Sequence, residues 1–164
     1  MLKILYLHGL EGNLSVEKRK VLQQFGEVMG GDIDYRKPKI IHELVQHAID
    51  FKPDYIIGSS MGGYVGFLIS KILNLPCLLF NPAFPYRTIE PDISEVEIPA
   101  SKTAKTTIIL GNNDQTIKYS DNLKFIKESL NSENIELIEI EELEHRIPFD
   151  VFKKVVNSYF DKYS

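Results

Sequence analysis

Gly58-Ser59-Ser60-Met61-Gly62 reads G-x-S-x-G, and it stands between an apolar run, Tyr55-Ile56-Ile57, and a longer one reaching from Tyr64 to Leu73. A serine at such a strand-to-helix turn is lifted above the sheet with its Oγ exposed. Glycines on either side have no Cβ, so a strained turn and a close helix approach become possible. Gly62, Gly63 and Gly66 fall inside the predicted helix, where each costs about 1 kcal/mol relative to Ala. Such a cost predicts tight contact between helix and sheet. Ser60 is thus a candidate nucleophile; the plainer alternative is a glycine-rich turn between two buried elements.

Outward from this turn, short apolar strands alternate with helical patterns. Strands are expected at Leu2–Leu7, Asp32–Tyr35, Tyr55–Gly58, Cys77–Phe80, Thr107–Leu110 and Ile135–Ile140. Helices are expected to begin near Ser15, Ile40, Met61 and Tyr119, with a last one from Pro148 to Phe160 carrying Val151, Phe152, Val155, Val156 and Tyr159 at helical spacing. The alternation predicts an α/β fold: three layers, with a doubly wound, mostly parallel sheet of about six strands. No repeat or linker marks a boundary, so residues 1–164 read as a single domain. The irregular stretch at about 82–104, with Pro82, Pro85, Pro91 and Pro99, reads as a short lid-like segment at the sheet edge where ligands sit.

Composition narrows the class. Hydrophobic residues are 43% and charged residues 26%, with a net charge of -4, which favours neither nucleic acid nor an anionic membrane as partner. The basic run Lys18-Arg19-Lys20, with Glu17 beside it, reads as a solvated helix face. Cys77, the single cysteine, lies in an apolar run and reads as a core thiol in a reducing compartment. The apolar start is too short for a membrane span and lacks a cleavage site, so a cytoplasmic location is expected. Oligomeric state is not legible.

A serine hydroxyl needs a base, and the base needs an orienting acid. On a sheet of this kind they follow in the order Ser, Asp or Glu, His, each after a later strand. Asp114 follows Thr107–Leu110 and His145 follows Ile135–Ile140. Their plainer readings are an Asx-turn residue and a surface histidine; Glu90 and Asp92 are weaker substitutes for the acid. His42 and His47 read as solvent-facing, and His8 as a structural hydrogen-bonding group. The negative charge of a tetrahedral intermediate needs amide donors. The N–H of Met61 is one candidate, and the N–H of Leu10, in the loop His8-Gly9-Leu10-Glu11-Gly12, is the other. Tyr64, Phe84 and Tyr86, together with Leu10, are candidate walls of an apolar acyl pocket, and equally ordinary packing. The lid is short, so an open site of modest chain-length selectivity is expected.

Leu5-Tyr6-Leu7-His8-Gly9-Leu10, Ile57-Gly58-Ser59-Ser60-Met61-Gly62-Gly63-Tyr64, Asn81-Pro82-Ala83, Leu110-Gly111 with Asp114, and His145-Arg146 together resemble the small α/β-hydrolases of the YqiA-like esterase family. The resemblance implies a minimal α/β-hydrolase fold and an intracellular carboxylesterase whose triad is Ser60, Asp114 and His145. It implies a small-molecule acyl ester, or thioester, as substrate, and neither metal nor organic cofactor. The alternative is a catalytically silent binding protein on the same fold. A nucleotide-binding module is disfavoured, because no G-x-G-x-x-G follows the first strand and no G-x-x-x-x-G-K-[ST] occurs.

Overall fold

The computed structural model describes residues 1–101, 103–130 and 132–162. Among the described residues six strands form one sheet: β1 (Leu2–Leu7), β2 (Gly26–Met29), β3 (Tyr55–Ser59), β4 (Cys77–Phe80), β5 (Thr106–Gly111) and β6 (Ile135–Ile140). The helices are α1 (Val16–Gln23), α2 (Ile40–Phe51), α3 (Met61–Leu73), α4 (Tyr119–Ser129) and α5 (Phe149–Asp161). Strand order is β2-β1-β3-β4-β5-β6 and every pair is parallel. Chain order reverses about β1, so the β1–β3 boundary is the switch point where open α/β sheets place ligands.

The central strands are apolar on both faces because helices cover both. Alternate residues divide between two cores. Leu5, Leu7, Ile56, Leu79, Ile108 and Leu110 face α2, α3 and α4, while Ile4, Tyr6, Ile57, Leu78, Phe80 and Ile109 face α1 and α5. On α5, Phe152, Val156, Tyr159 and Phe160 are buried, each worth roughly 1.5–3 kcal/mol of transfer free energy. Ser15 caps α1, its side chain accepting from the Lys18 N–H, which ends the chain's freedom at the predicted helix start.

Two expectations are corrected. The second strand is not Asp32–Tyr35 but Gly26–Met29, which pairs with Leu2–Leu5. A Cβ on Gly26 would collide with the Leu2 carbonyl, so only glycine allows that approach. Residues 32–35 are loop, and Tyr35 is apolar there because it is buried beneath the end of β1, its hydroxyl donating to the His8 carbonyl at 2.5 Å. The basic run is not a solvated face either. Lys18 and Arg19 are half-buried; Lys18 donates to the Ile147 carbonyl at 3.4 Å, and Arg19 to the carbonyls of Val28 and Gly30 just past β2.

Between β3 and α3 the backbone of Ser60 takes φ 54°, ψ -115°, a region costing about 1–3 kcal/mol for a residue with a Cβ. Three hydrogen bonds impose it. The Ser60 N–H donates to Phe80 C=O at 2.9 Å, and its own C=O accepts from Tyr64 at 3.1 Å and Ala83 at 3.0 Å. A Cβ on Gly62 would strike the carbonyls of Leu7 and His8. That contact explains Gly62, since the helix begins flat against the end of β1; Gly63 abuts Pro82 and Gly66 the Ile56 side chain.

The connection from β4 to β5 has neither helix nor strand among its described residues, and Lys102 lies outside them. It is strapped to the body instead. Arg87 braces the segment internally, donating to the carbonyls of Ala83 and Phe84 at 2.7 and 2.9 Å and pairing with Glu90. Asp92 accepts from the Lys39 N–H at 2.8 Å, and the Asn74 side chain accepts from the N–H groups of Thr103 and Ala104. Among the described residues no helix is long and apolar enough to cross a membrane.

Two stability measurements check these points. Ser60→Gly should unfold about 1 kcal/mol harder than Ser60→Ala, since glycine relieves the backbone strain and pays back only part of it in unfolded-state entropy; an alanine variant of equal or greater stability would show that the turn is unstrained. Glu136 on β6 accepts from Lys162 at 2.7 Å and pairs with Lys105 at 2.9 Å, and these bonds hold its carboxyl down at about 2. A depressed carboxyl stabilises the fold above its unfolded value of about 4.3 and loses that contribution as pH falls through 2. Glu136→Gln should therefore lower stability by about 0.5–1 kcal/mol at pH 7, the pair being partly solvated, and the difference should shrink toward zero as urea melts are repeated below pH 2.

Candidate active site

The parallel register brings five strand ends to one edge. Leu7 lies beside Gly58, Ser59 beside Phe80, Phe80 beside Ile109, and Gly111 beside Ile140. The loops that follow β1, β3, β5 and β6 therefore emerge together, and three distant side chains meet there. His145 Nε2 lies 2.9 Å from Ser60 Oγ, and His145 Nδ1 lies 2.7 Å from Asp114 Oδ2. An ionised carboxylate only accepts, so Nδ1 carries the ring proton and Nε2 is left to accept from the serine hydroxyl.

Asp114 is buried, 1% exposed. Its other oxygen, Oδ1, accepts from the N–H groups of Thr116 at 2.9 Å and Ile117 at 3.0 Å. That is the Asx-turn geometry, so both readings of this residue hold at once: one oxygen shapes the loop and the other holds the imidazole. Neither alternative acid is close. Glu90 pairs with Arg87, and Asp92 is bound by Ser94 and the backbone of Lys39.

The loop after β1 packs directly on the serine; a Cβ on Gly9 would lie 3.4 Å from Ser60 Cβ. His8, 3% exposed, sets its shape. The His8 ring accepts the Ile33 N–H at Nε2 (2.8 Å), so Nδ1 bears the proton and donates to the Gly9 carbonyl at 2.6 Å. The Gly12 N–H donates to the same carbonyl at 3.0 Å. In a trans peptide the C=O and the following N–H point opposite ways. Holding the Gly9 carbonyl inward therefore turns the Leu10 N–H outward, and Leu10 and Met61 both line the cleft over Ser60. Among the described residues neither amide donates to a backbone carbonyl. Burial pushes the Tyr35 hydroxyl far above its usual range, which keeps it a neutral donor to the His8 carbonyl.

The cleft has a volume of about 330 Å³, and its walls include Leu10, Ala83, Tyr86, Ile117 and Thr116 beside Ser60 and His145. Tyr86 closes the outer side, its hydroxyl accepting from the Lys118 N–H at 2.7 Å. Two of the expected walls are elsewhere. Phe84 is 3% exposed and packs between Phe67 and Phe125, at 5.3 and 5.5 Å; the core beneath α3 and α4 has taken it. Tyr64 lies under the Arg87 guanidinium, 3.8 Å from its ring centroid. Beside Tyr86 and Arg87, the β4 and β5 loops line the cleft with small and aliphatic groups, Ala83, Thr88, Thr116 and Ile117. His47 is exposed and His42 half-buried, both on α2. Among the described residues no group of three or more His, Cys, Asp or Glu could hold a metal.

Asn81 went unread as a site residue. It is buried, and its side chain donates to the carbonyls of Glu144 at 3.0 Å and His145 at 3.1 Å while accepting the Gly111 N–H at 2.8 Å. It thereby ties the loop carrying the histidine to the strand that leads to the acid. Its signals in the sequence are the Asn81-Pro82-Ala83 block and its place directly after a buried strand, where a turn residue is the ordinary reading. Asn112 makes a similar tie, accepting from the Glu142 N–H at 2.8 Å.

Solved structures share this architecture. Est1E from Butyrivibrio proteoclasticus superimposes with a TM-score of 0.73 at 16% identity, over 98% of this chain and 87% of that one. The monoacylglycerol lipase of Paleococcus ferrophilus gives 0.73 at 11% identity, over 99% and 95%. A Xanthomonas campestris protein described as an α/β serine hydrolase without lid gives 0.68 at 14% identity, over 99% and 82%. At such identities the likeness establishes the α/β-hydrolase fold. No curated protein matches the sequence. The model of the uncharacterised protein family UPF0227 matches residues 3–109, a span that includes Leu10, Ser60 and Met61 and ends before Asp114 and His145. With well over half the chain matched, this protein belongs to UPF0227, the YqiA-like family.

Proposed function

We propose that the protein is a serine hydrolase that cleaves small carboxylic esters, or thioesters, through an acyl-Ser60 intermediate. The observation carrying this reading is the hydrogen-bonded row Asp114–His145–Ser60 facing two amides without backbone acceptors. His145 Nε2 takes the Ser60 proton as Oγ attacks the acyl carbon, and the Leu10 and Met61 N–H groups receive the developing oxyanion. The same imidazolium proton then passes to the departing alkoxide or thiolate. Water enters, gives its proton to Nε2 and attacks the acyl carbon; the proton returns to Ser60 Oγ as the carboxylic acid leaves. Asp114 keeps the ring in the productive tautomer and stabilises its cation. Each amide donor of this kind contributes about 2.7–4 kcal/mol to the transition state. Proteins of the same fold named as a monoacylglycerol lipase and a serine hydrolase without lid support the class of chemistry.

Ser60→Ala should abolish labelling by a fluorophosphonate probe and reduce p-nitrophenyl acetate hydrolysis by about 10⁴-fold or more. Retained labelling would remove Ser60 from its role, and a wild-type chain inert to every serine-directed probe would favour the silent binding protein. The cleft volume of about 330 Å³ is at the small end of ligand sites, so the p-nitrophenyl series should run fastest from acetate to hexanoate with little discrimination. Tyr86→Ala should raise the relative rate of longer chains by opening the outer wall. A sharp optimum at palmitate in the wild type would contradict a cleft of this size.

A further inference from the structure

Three helices cover one face of the sheet and two cover the other. Strands stand about 4.8 Å apart and a helix with its side chains is about 10 Å wide, so six strands need three helices and are underserved by two. On the α1/α5 face, α5 lies toward the sheet centre: Phe152 meets Tyr6 and Phe80, and Tyr159 and Phe160 meet Tyr55. The end formed by β5 and β6 is left partly bare. Ile109, Ile138 and Ile140 form the floor there, and Val151 and Val155 of α5 form one wall, enclosing about 370 Å³. This cavity shares no lining residue with the cleft over Ser60.

The rim is cationic. Lys154 and Lys162 border the groove. Lys162 is spent on Glu136, together with Lys105, whereas Lys154 is exposed and, among the described residues, its side-chain ammonium has neither an ion pair nor a hydrogen bond. An apolar slot of single-chain size with one uncommitted ammonium at its mouth matches a particular chemistry. We propose that this groove binds a single-chain carboxylate amphiphile, its alkyl tail along Ile109, Ile138 and Ile140 and its carboxylate at Lys154. Pairing of β6 with a second copy is disfavoured, because the edge carries Glu136 and Glu139, each already bonded within the chain. Charged side chains along an edge strand oppose the addition of another strand. The site is independent of the esterase reading and stands or falls without it.

Isoleucine methyl NMR of the full chain separates the two cavities, because Ile138 and Ile140 report the groove and Ile117 the cleft. Decanoate below its micellar concentration should shift the Ile138 and Ile140 methyls saturably. Lys154→Glu should weaken that binding by about tenfold while leaving decanol binding and ester hydrolysis unchanged, and Val155→Glu should abolish it. Absence of saturable shifts, shifts confined to Ile117, or decanoate affinity indifferent to Lys154→Glu would overturn the assignment. So would concentration-dependent broadening of the β6 methyls in the ligand-free chain, which would put a second copy on this face.

Discussion

The constraint on which the rest depends is the Ser60 backbone, held at φ 54° by hydrogen bonds to β4, to α3 and to the segment after β4. A residue at that angle cannot relax without breaking contacts in three elements. The strain is thus carried by the fold as a whole. Glycine at 62 lets α3 start against the carbonyls of Leu7 and His8, and this same approach brings the loop after β1 onto the serine. Ser60 and the proposed amide donors, Leu10 and Met61, are therefore placed by a single packing event.

The proposed base and acid, His145 and Asp114, arrive by a different route. They come from β5 and β6, whose ladder is in register to its last pair, Gly111 with Ile140. Parallel strands alone align loops only at their roots. What converts alignment into contact distance is a set of side-chain cross-links: buried Asn81 to Gly111, Glu144 and His145, and, at the surface, Asn112 to Glu142. Each satisfies backbone groups that would otherwise be orphaned where the strands end.

Much of this was legible in residues. Strands buried on both faces read as continuous apolar runs, as Cys77–Phe80 does, and the helix beginning at Met61 declared itself through its glycines. The order Ser60, Asp114, His145 followed from strand counting. What escaped was decided by tertiary contact. Gly26–Met29 has a glycine and a glutamate in four residues, with Val28 its one strong β-former; it pairs because Gly26 can sit against the Leu2 carbonyl. Tyr35 and Phe84 looked like strand and pocket residues since aromatic character is visible in sequence, whereas what buries an aromatic is not. Asn81 looked like any turn asparagine, because a hydrogen-bond hub is defined by groups 30 and 64 residues away.

β6 is the edge strand, with a neighbour on one side only, yet the chain between it and α5 carries His145. An edge strand frays more easily than a central one, and a base must keep its geometry to a fraction of an ångström. The structure reconciles these demands by fastening the histidine loop inward rather than by shielding the edge. Leu143, 5% exposed, seats its carbonyl where a Cβ on Gly111 would otherwise lie, and that carbonyl accepts the Asn113 N–H at 3.1 Å. Its side chain joins the core of the α1/α5 face, while Asn81 holds the next two carbonyls. The loop is thus anchored at Leu143, Glu144 and His145 to β4 and to the end of β5, and it does not need β6 to be covered. A sheet in which His145 is fastened this way can leave its last two strands partly bare on one face while the candidate site stays anchored through β4 and β5.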